Sequence, residues 1–237
     1  MRTLLLRALG GLALAAGLVG AGVLTYQLWW ADVRAAEHGE QLVSAARAEF
    51  EATPASAQVL TAPGDAPTAA GDGIPAPEQA AAPDPGPAIV HLPTIGEELP
   101  VLEGVGADVL DQGVLGRYPG SGAPGEVGNY AVAGHRTTYG RPLWALGDLE
   151  PGEPVVVETA QGWHVYRFEG TRVTVPEDVT PLAPTPDSPG VEPEEARMVL
   201  TTCHPRFSAR QRLIGYAVLD RTVPRESGPP PELAPTR

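Results

Sequence analysis

The sequence predicts an all-β domain, a small barrel or a sandwich, carried behind an N-terminal apolar helix and a linker rich in Ala and Pro. Three observations predict it. Eight short runs of β-branched and aromatic residues, bounded by Gly, Pro or Asp, fall within roughly 135 residues of the 237-residue chain, a strand density that suits a closed or two-layered sheet. Helical periodicity is scarce over the same stretch. Ahead of it, Ala8 to Ala31 contains no charged residue.

The elements follow in order. Ala8 to Ala31 covers the roughly 20 residues that a spanning helix needs. Arg2 and Arg7 precede it, Asp32 follows, and Tyr26, Trp29 and Trp30 gather where an interfacial aromatic belt would lie. This predicts a single-pass anchor with its N-terminus cytoplasmic and the remainder exported. A cleaved signal peptide is the competing reading, but its apolar region is usually about 7 to 15 residues and ends in small side chains, whereas this one ends in Trp29-Trp30. Asp32 to Ala52 favours a short juxtamembrane helix. Thr53 to Pro87, dominated by Ala, Pro, Gly and Asp, reads as a disordered spacer that gives reach from the membrane. The expected strands are Ala88 to Leu92, Leu99 to Leu102, Asn129 to Gly134, Pro154 to Thr159, Trp163 to Glu169, Thr171 to Val175, Met198 to Thr202 and Leu213 to Leu219. A helical turn is expected over Arg141 to Leu149, with Pro142 placed to start it. Val223 to Arg237, Pro-rich and polar, reads as a disordered tail. The organisation is therefore anchor (1–31), juxtamembrane segment and linker (32–87), compact β domain (88–222) and tail (223–237).

Charge and cysteine content narrow the function. The net charge is −13, and the 16 basic residues are all arginine. Such acidity excludes a nucleic-acid partner, because phosphate binding needs a basic surface that displaces counterions. It leans weakly toward cationic or amine-bearing partners. Cys203 is the single cysteine, so no internal disulfide forms. In an oxidising exported compartment a retained lone thiol points to use. One cysteine with scattered histidines does not make a tetrahedral zinc site.

Two motifs carry chemistry. Val199-Leu200-Thr201-Thr202-Cys203 closes a short apolar run, with Arg212 downstream, and Ala133-Gly134-His135-Arg136-Thr137-Thr138-Tyr139-Gly140 places a histidine in an equally distinctive setting. A Cys/His pair is the minimum equipment for thiol nucleophilic catalysis. His204 is a weaker partner for Cys203, because adjacent strand residues point to opposite faces. His38, His91 and His164 read as surface or linker residues.

With Ile89 to Gly96, Val101 to Val105, Tyr118-Pro119-Gly120, Gly128 to Arg136 and Leu200 to Pro205 in this order, the region Ala88 to Leu219 resembles a sortase, and its two densest motifs resemble class E sortases most closely. One departure is Val199, where the family pattern Thr-Leu-x-Thr-Cys has threonine. The resemblance implies a closed eight-stranded β-barrel and a cysteine transpeptidase. It implies Cys203 as nucleophile, which needs a neighbouring acid/base or cation because a free thiol is mostly protonated at neutral pH. It implies His135 as the group that protonates the departing amine and deprotonates the entering one. Arg212, always protonated, would donate to the oxyanion or position the substrate carbonyl. Tyr118, Thr202, Pro176 and Pro189 are expected to line the substrate groove, the two prolines on the long connection Pro176 to Arg197. The implied substrate is a secreted protein with a C-terminal Leu-Ala-x-Thr-Gly or Leu-Pro-x-Thr-Gly signal, cut after Thr and passed to an amine of a peptidoglycan precursor. No cofactor or metal is assigned. Glu97, Glu98, Glu103 and Asp108 are the acids that would gather around calcium, as in some sortases. The rival readings are a silent barrel that binds extended peptides, and a pilus-polymerising sortase, which the lack of a second apolar stretch disfavours.

Overall fold

The structure, a computed structural model, describes residues 2–52 and 86–234; the side chains of several residues in the first half of the N-terminal helix also lie outside the description. The elements are α1 (Arg2–Ala52), β1 (Ala88–Leu92), β2 (Glu97–Glu103), α2 (Ala107–Leu110), β3 (Leu115–Arg117), β4 (Gly128–Ala133), β5 (Pro154–Thr159), β6 (Gly162–Thr174), β7 (Ala196–His204) and β8 (Gln211–Pro224). The strands close into a barrel in the order β1-β2-β3-β4-β7-β8-β6-β5. The β2/β3 and β4/β7 pairs are parallel and all others antiparallel.

Alternation along β7 positions the site. Met198 and Leu200 point into the barrel with Tyr130, Val132, Tyr166 and Phe168. Val199 points outward, yet it is equally buried, because Tyr118, Ala131, Ala133, Leu182 and Ile214 form a second apolar cluster over the outer face. Strands covered on both sides lose the in/out alternation of an exposed sheet. β4 is buried at every position. By strand parity Thr201 and Cys203 share the outer face with Val199.

Four expectations are corrected. The runs read as Trp163 to Glu169 and Thr171 to Val175 are one strand, β6, whose register shifts between Phe168 and Gly170; Gly170, at φ 142, takes the bulge that reads in sequence as a break. The eighth strand is instead β3, three residues long and buried throughout. Within Arg141 to Leu149 only Leu146–Asp148 forms a 3-10 turn. The tail is ordered as far as described: β8 runs to Pro224, Arg221 and Arg167 both bond Glu232, and Leu233 packs beside Trp163 and Val165.

The N-terminal segment also differs. Residues 2–52 form one continuous helix rather than an anchor followed by a separate short helix. Ala35, Gly39, Val43, Ala46 and Phe50 are buried, a stripe with helical spacing that packs on the barrel. Phe50 meets Ile89, Arg225 lies over its ring at 5.0 Å, and Arg47 pairs with Glu98 at 3.0 Å. The helix that precedes the expected spacer is thus already docked on the domain, which removes the spacer's reach. Most of the spacer itself, residues 53–85, lies outside the described residues, as do 235–237. Among the described residues no helix is long and apolar enough to cross a membrane, and many side chains of the expected span at 8–31 lie outside the description.

Candidate active site

The two motifs meet at one end of the β4/β7/β8 wall. The parallel β4/β7 register ends at Ala133↔Thr201; two residues further along the chain stand His135, just past the end of β4, and Cys203, still on β7. Across β7, Cys203 pairs with Arg212 of β8. Cys203, His135 and Arg212 line one groove of about 230 Å3, together with Tyr118, Thr201 and Thr202. Cys203 is partly exposed and free, as a nucleophile must be.

Each side chain has local support. Thr202 is buried, and its hydroxyl donates to the Gly134 carbonyl at 2.7 Å. It ties the cysteine strand to the histidine loop, so its groove contribution is a wall rather than a free hydroxyl. The Tyr118 hydroxyl bonds the Thr201 hydroxyl at 3.0 Å, and burial, above all, raises its pKa. Arg212 Nη1 donates to the carbonyls of Ala209 and Gln211 at 2.9 and 3.1 Å, which turns the guanidinium beside the β7–β8 turn. His204 is taken by Arg136, whose Nη1 donates to His204 Nδ1 at 2.8 Å. Burial, followed by the charge of Arg206, lowers the Arg136 pKa.

Of the two prolines, Pro176 lines a narrow extension of the groove with Tyr118, Pro181, Leu182 and Arg212. Pro189 does not; it is exposed and lines neither space, so its expected groove role is corrected. The loop between β6 and β7 is instead secured by Asp178, which accepts from Thr174 Oγ1 at 2.6 Å and from Arg172 Nη2 at 3.1 Å.

Two histidines depart from expectation. His91 is buried, not on the surface, 3.0 Å from Glu158 and 3.6 Å from Glu98. Burial alone would raise the Glu158 pKa, but hydrogen bonds from His91 and Arg225 outweigh it and the net shift is downward. His164 is half-buried, which pushes its pKa down to about 4. Glu98 and Glu103 are paired with Arg47 and Arg117, and no group of three or more metal-capable side chains occurs among the described residues. A larger cavity of about 720 Å3 lies where the C-terminal segment packs on β1, β2 and β5, lined by Arg47, His91, Glu158, Trp163 and Leu233 among others. It holds no cysteine, so volume does not mark the reactive site. The residue that sequence reasoning missed is Asp111, whose Oδ1 lies 2.8 Å from His135 Nε2; it stands in an ordinary Leu-Asp-Gln-Gly turn that carries no motif.

The sortase domain model matches residues 90–220 of this chain. The chain belongs to the sortase family. Sortase SrtE1 of Streptomyces coelicolor is 32% identical over 234 residues, covering 96% of this sortase and 60% of that protein. This sortase therefore spans less than two thirds of that relative's length. Among solved structures, sortase E1 from Streptomyces coelicolor with a tripeptide in its active site is 35% identical, with a TM-score of 0.58 over 67% of this chain and 98% of that one. Sortase E from Streptomyces avermitilis is 42% identical, with a TM-score of 0.56 over 62% and 95%. These likenesses are consistent with class E, and sortases are cysteine transpeptidases.

Proposed function

We propose that this sortase is a membrane-anchored transpeptidase that cleaves a Leu-Ala-x-Thr-Gly or Leu-Pro-x-Thr-Gly signal of secreted proteins after Thr and transfers the acyl group to an amine of a peptidoglycan precursor. The observation that carries the reading is that Cys203, His135 and Arg212 line one groove, with Cys203 and Arg212 paired across two strands. Cys203 Sγ attacks the threonine carbonyl as a thiolate, and the tetrahedral oxyanion accepts hydrogen bonds from Arg212. His135 gives its proton to the departing glycine amine, the C–N bond breaks and a thioester remains. An entering amine attacks the thioester, His135 takes its proton, and the thiolate leaves.

The groove suits an extended peptide. Its floor is the outer face of β4, β7 and β8, with Ala133 and Thr201 small enough to admit a chain, and Tyr118 and Pro176 flank it.

The uncharged stretch Ala8 to Ala31 supports a membrane anchor with the catalytic domain outside. In this reading α1 carries the apolar stretch straight onto the barrel: Asp32 accepts from the Gly140 amide at 3.4 Å and lies 3.7 Å from Arg141. The groove is then held near the membrane, not at the end of a long tether.

The test is an exchange assay. A fluorescent Leu-Ala-x-Thr-Gly peptide is incubated with the full chain, with and without an added amine. A transpeptidase gives a Thr-amine product that grows with amine concentration. A peptide that binds and is never cut would establish the silent peptide-binding module instead.

A further inference from the structure

Asp111 and Tyr139 enclose the imidazole of His135, and the chain that follows each of them rests on α1. The Asp111 carboxylate accepts from His135 Nε2 at 2.8 Å. The Tyr139 ring stacks on the imidazole with centroids 5.0 Å apart and planes 29° apart. Asp111 also reaches the Tyr139 hydroxyl, whose pKa is raised first by the Asp111 charge and then by this hydrogen bond. A carboxylate on its edge and a ring on its face leave the imidazole little freedom to turn.

The two loops rest on one short stretch of α1. Gly113, at φ +80, has no room for a side chain: a Cβ there would lie 2.9 Å from the Ala35 Cβ and carbonyl and 3.0 Å from the Tyr139 carbonyl. His38 Nε2 bonds Gln112 Oε1 at 3.2 Å. On the other side of His135, Asp32 holds Gly140 and Arg141. Residues 32–39 thus touch the chain directly after Asp111 and directly after Tyr139.

We propose that Asp111 is a positioning residue for His135 and that α1 is the brace that fixes the Asp111 turn. The proposal rests on the reading of His135 as the acid/base group. A carboxylate that accepts from Nε2–H selects the tautomer carrying that hydrogen. Nδ1 is then the nitrogen that gives a proton to the departing amine and takes one from the entering amine. The N-terminal helix is by this account part of the catalytic machinery rather than a tether.

Asp111→Asn in the full chain is the test. The amide fills the same volume, so a purely structural role survives it, but its NH2 can donate to Nε2 and hold the opposite tautomer. The expected result is a kcat lowered roughly tenfold or more, KM within about twofold, an unchanged Tm, and loss of the Nε2–H signature of His135 in 15N spectra. A kcat within about twofold of wild type would overturn the proposal. The brace has its own arm: Gly113→Ala should lower kcat in the wild-type background and cost little more in the Asp111→Asn background, because both act through one contact. An equal factor in both backgrounds would refute the brace. His135→Ala separates the two levels. If it keeps turnover, the acid/base reading fails; if it abolishes turnover while Asp111→Asn does not, only the positioning proposal fails.

Discussion

Cys203 on β7 and Arg212 on β8 stand directly opposite each other, as the second-last pair of the β7/β8 ladder before His204↔Gln211. Cross-strand partners share a face and hold their Cβ atoms about 5 Å apart. The sheet thus sets the Cys203 thiol and the Arg212 side chain on one face without any loop having to fold over the site.

Arg212→Ala should lower kcat by about 10²- to 10³-fold with a smaller effect on KM, the loss expected for an oxyanion donor. Arg212→Lys should recover only part of it, because the fork of donors is lost. Steady-state kinetics on a signal peptide measure both, and full activity in the Lys variant would reduce Arg212 to a simple charge.

Thr202→Val removes the 2.7 Å hydrogen bond to the Gly134 carbonyl and leaves that carbonyl without this donor. The expected cost is about 1–3 kcal/mol in unfolding free energy, read by denaturant titration. Because Gly134 precedes His135, kcat should fall as well; an unchanged stability and rate would show that the bond does not couple the two strands.

Phe50→Ala should destabilise the docking of α1 on the barrel by about 3 kcal/mol or more, since Phe50 is 1% exposed and its ring fills the contact with Ile89. Hydrogen exchange should show residues 35–50 losing protection while β7 keeps it. Uniform loss across the barrel would mean that helix and barrel unfold as one unit.

Burial holds His164 at a pKa of about 4 in the folded chain, against an ordinary value near 6.5. As pH falls, the unfolded chain takes up this proton first, so stability declines from about pH 6.5 toward about 4 and levels off below. His164→Gln should flatten that part of the profile in urea midpoints taken across pH; an unaltered slope would assign the decline to other groups.

The grouping of Cys203, His135 and Arg212 was more legible than the architecture around it. Cys203, His135 and Arg212 sit in motifs whose order and spacing carry a family resemblance, and the structure lines one groove with all three. β5 was legible to the residue, because Pro154 and Gly162 bracket a stretch rich in β-branched residues, Val155, Val156, Val157 and Thr159. β3 was not, since three residues show no period and its burial comes from neighbours distant in sequence. The break at Gly170 looked like a turn because a bulge and a turn use the same glycine chemistry. Asp111 was invisible for a different reason. Its role depends on which turn lands beside His135, and only the closure of the barrel and the docking of α1 decide that. Ala35, Gly39, Val43, Ala46 and Phe50 did form a helical stripe in the sequence, but small residues such as Ala and Gly give it little contrast.

The most direct measurement is the intact mass of the full-length chain after brief mixing with a Leu-Ala-x-Thr-Gly peptide and acid quench. The account predicts a hydroxylamine-sensitive adduct equal to the peptide's acyl portion through Thr, mapped to Cys203 and absent in Cys203→Ala. Cleavage at an undiminished rate in Cys203→Ala, or turnover of the peptide with the adduct on any other residue, would contradict it.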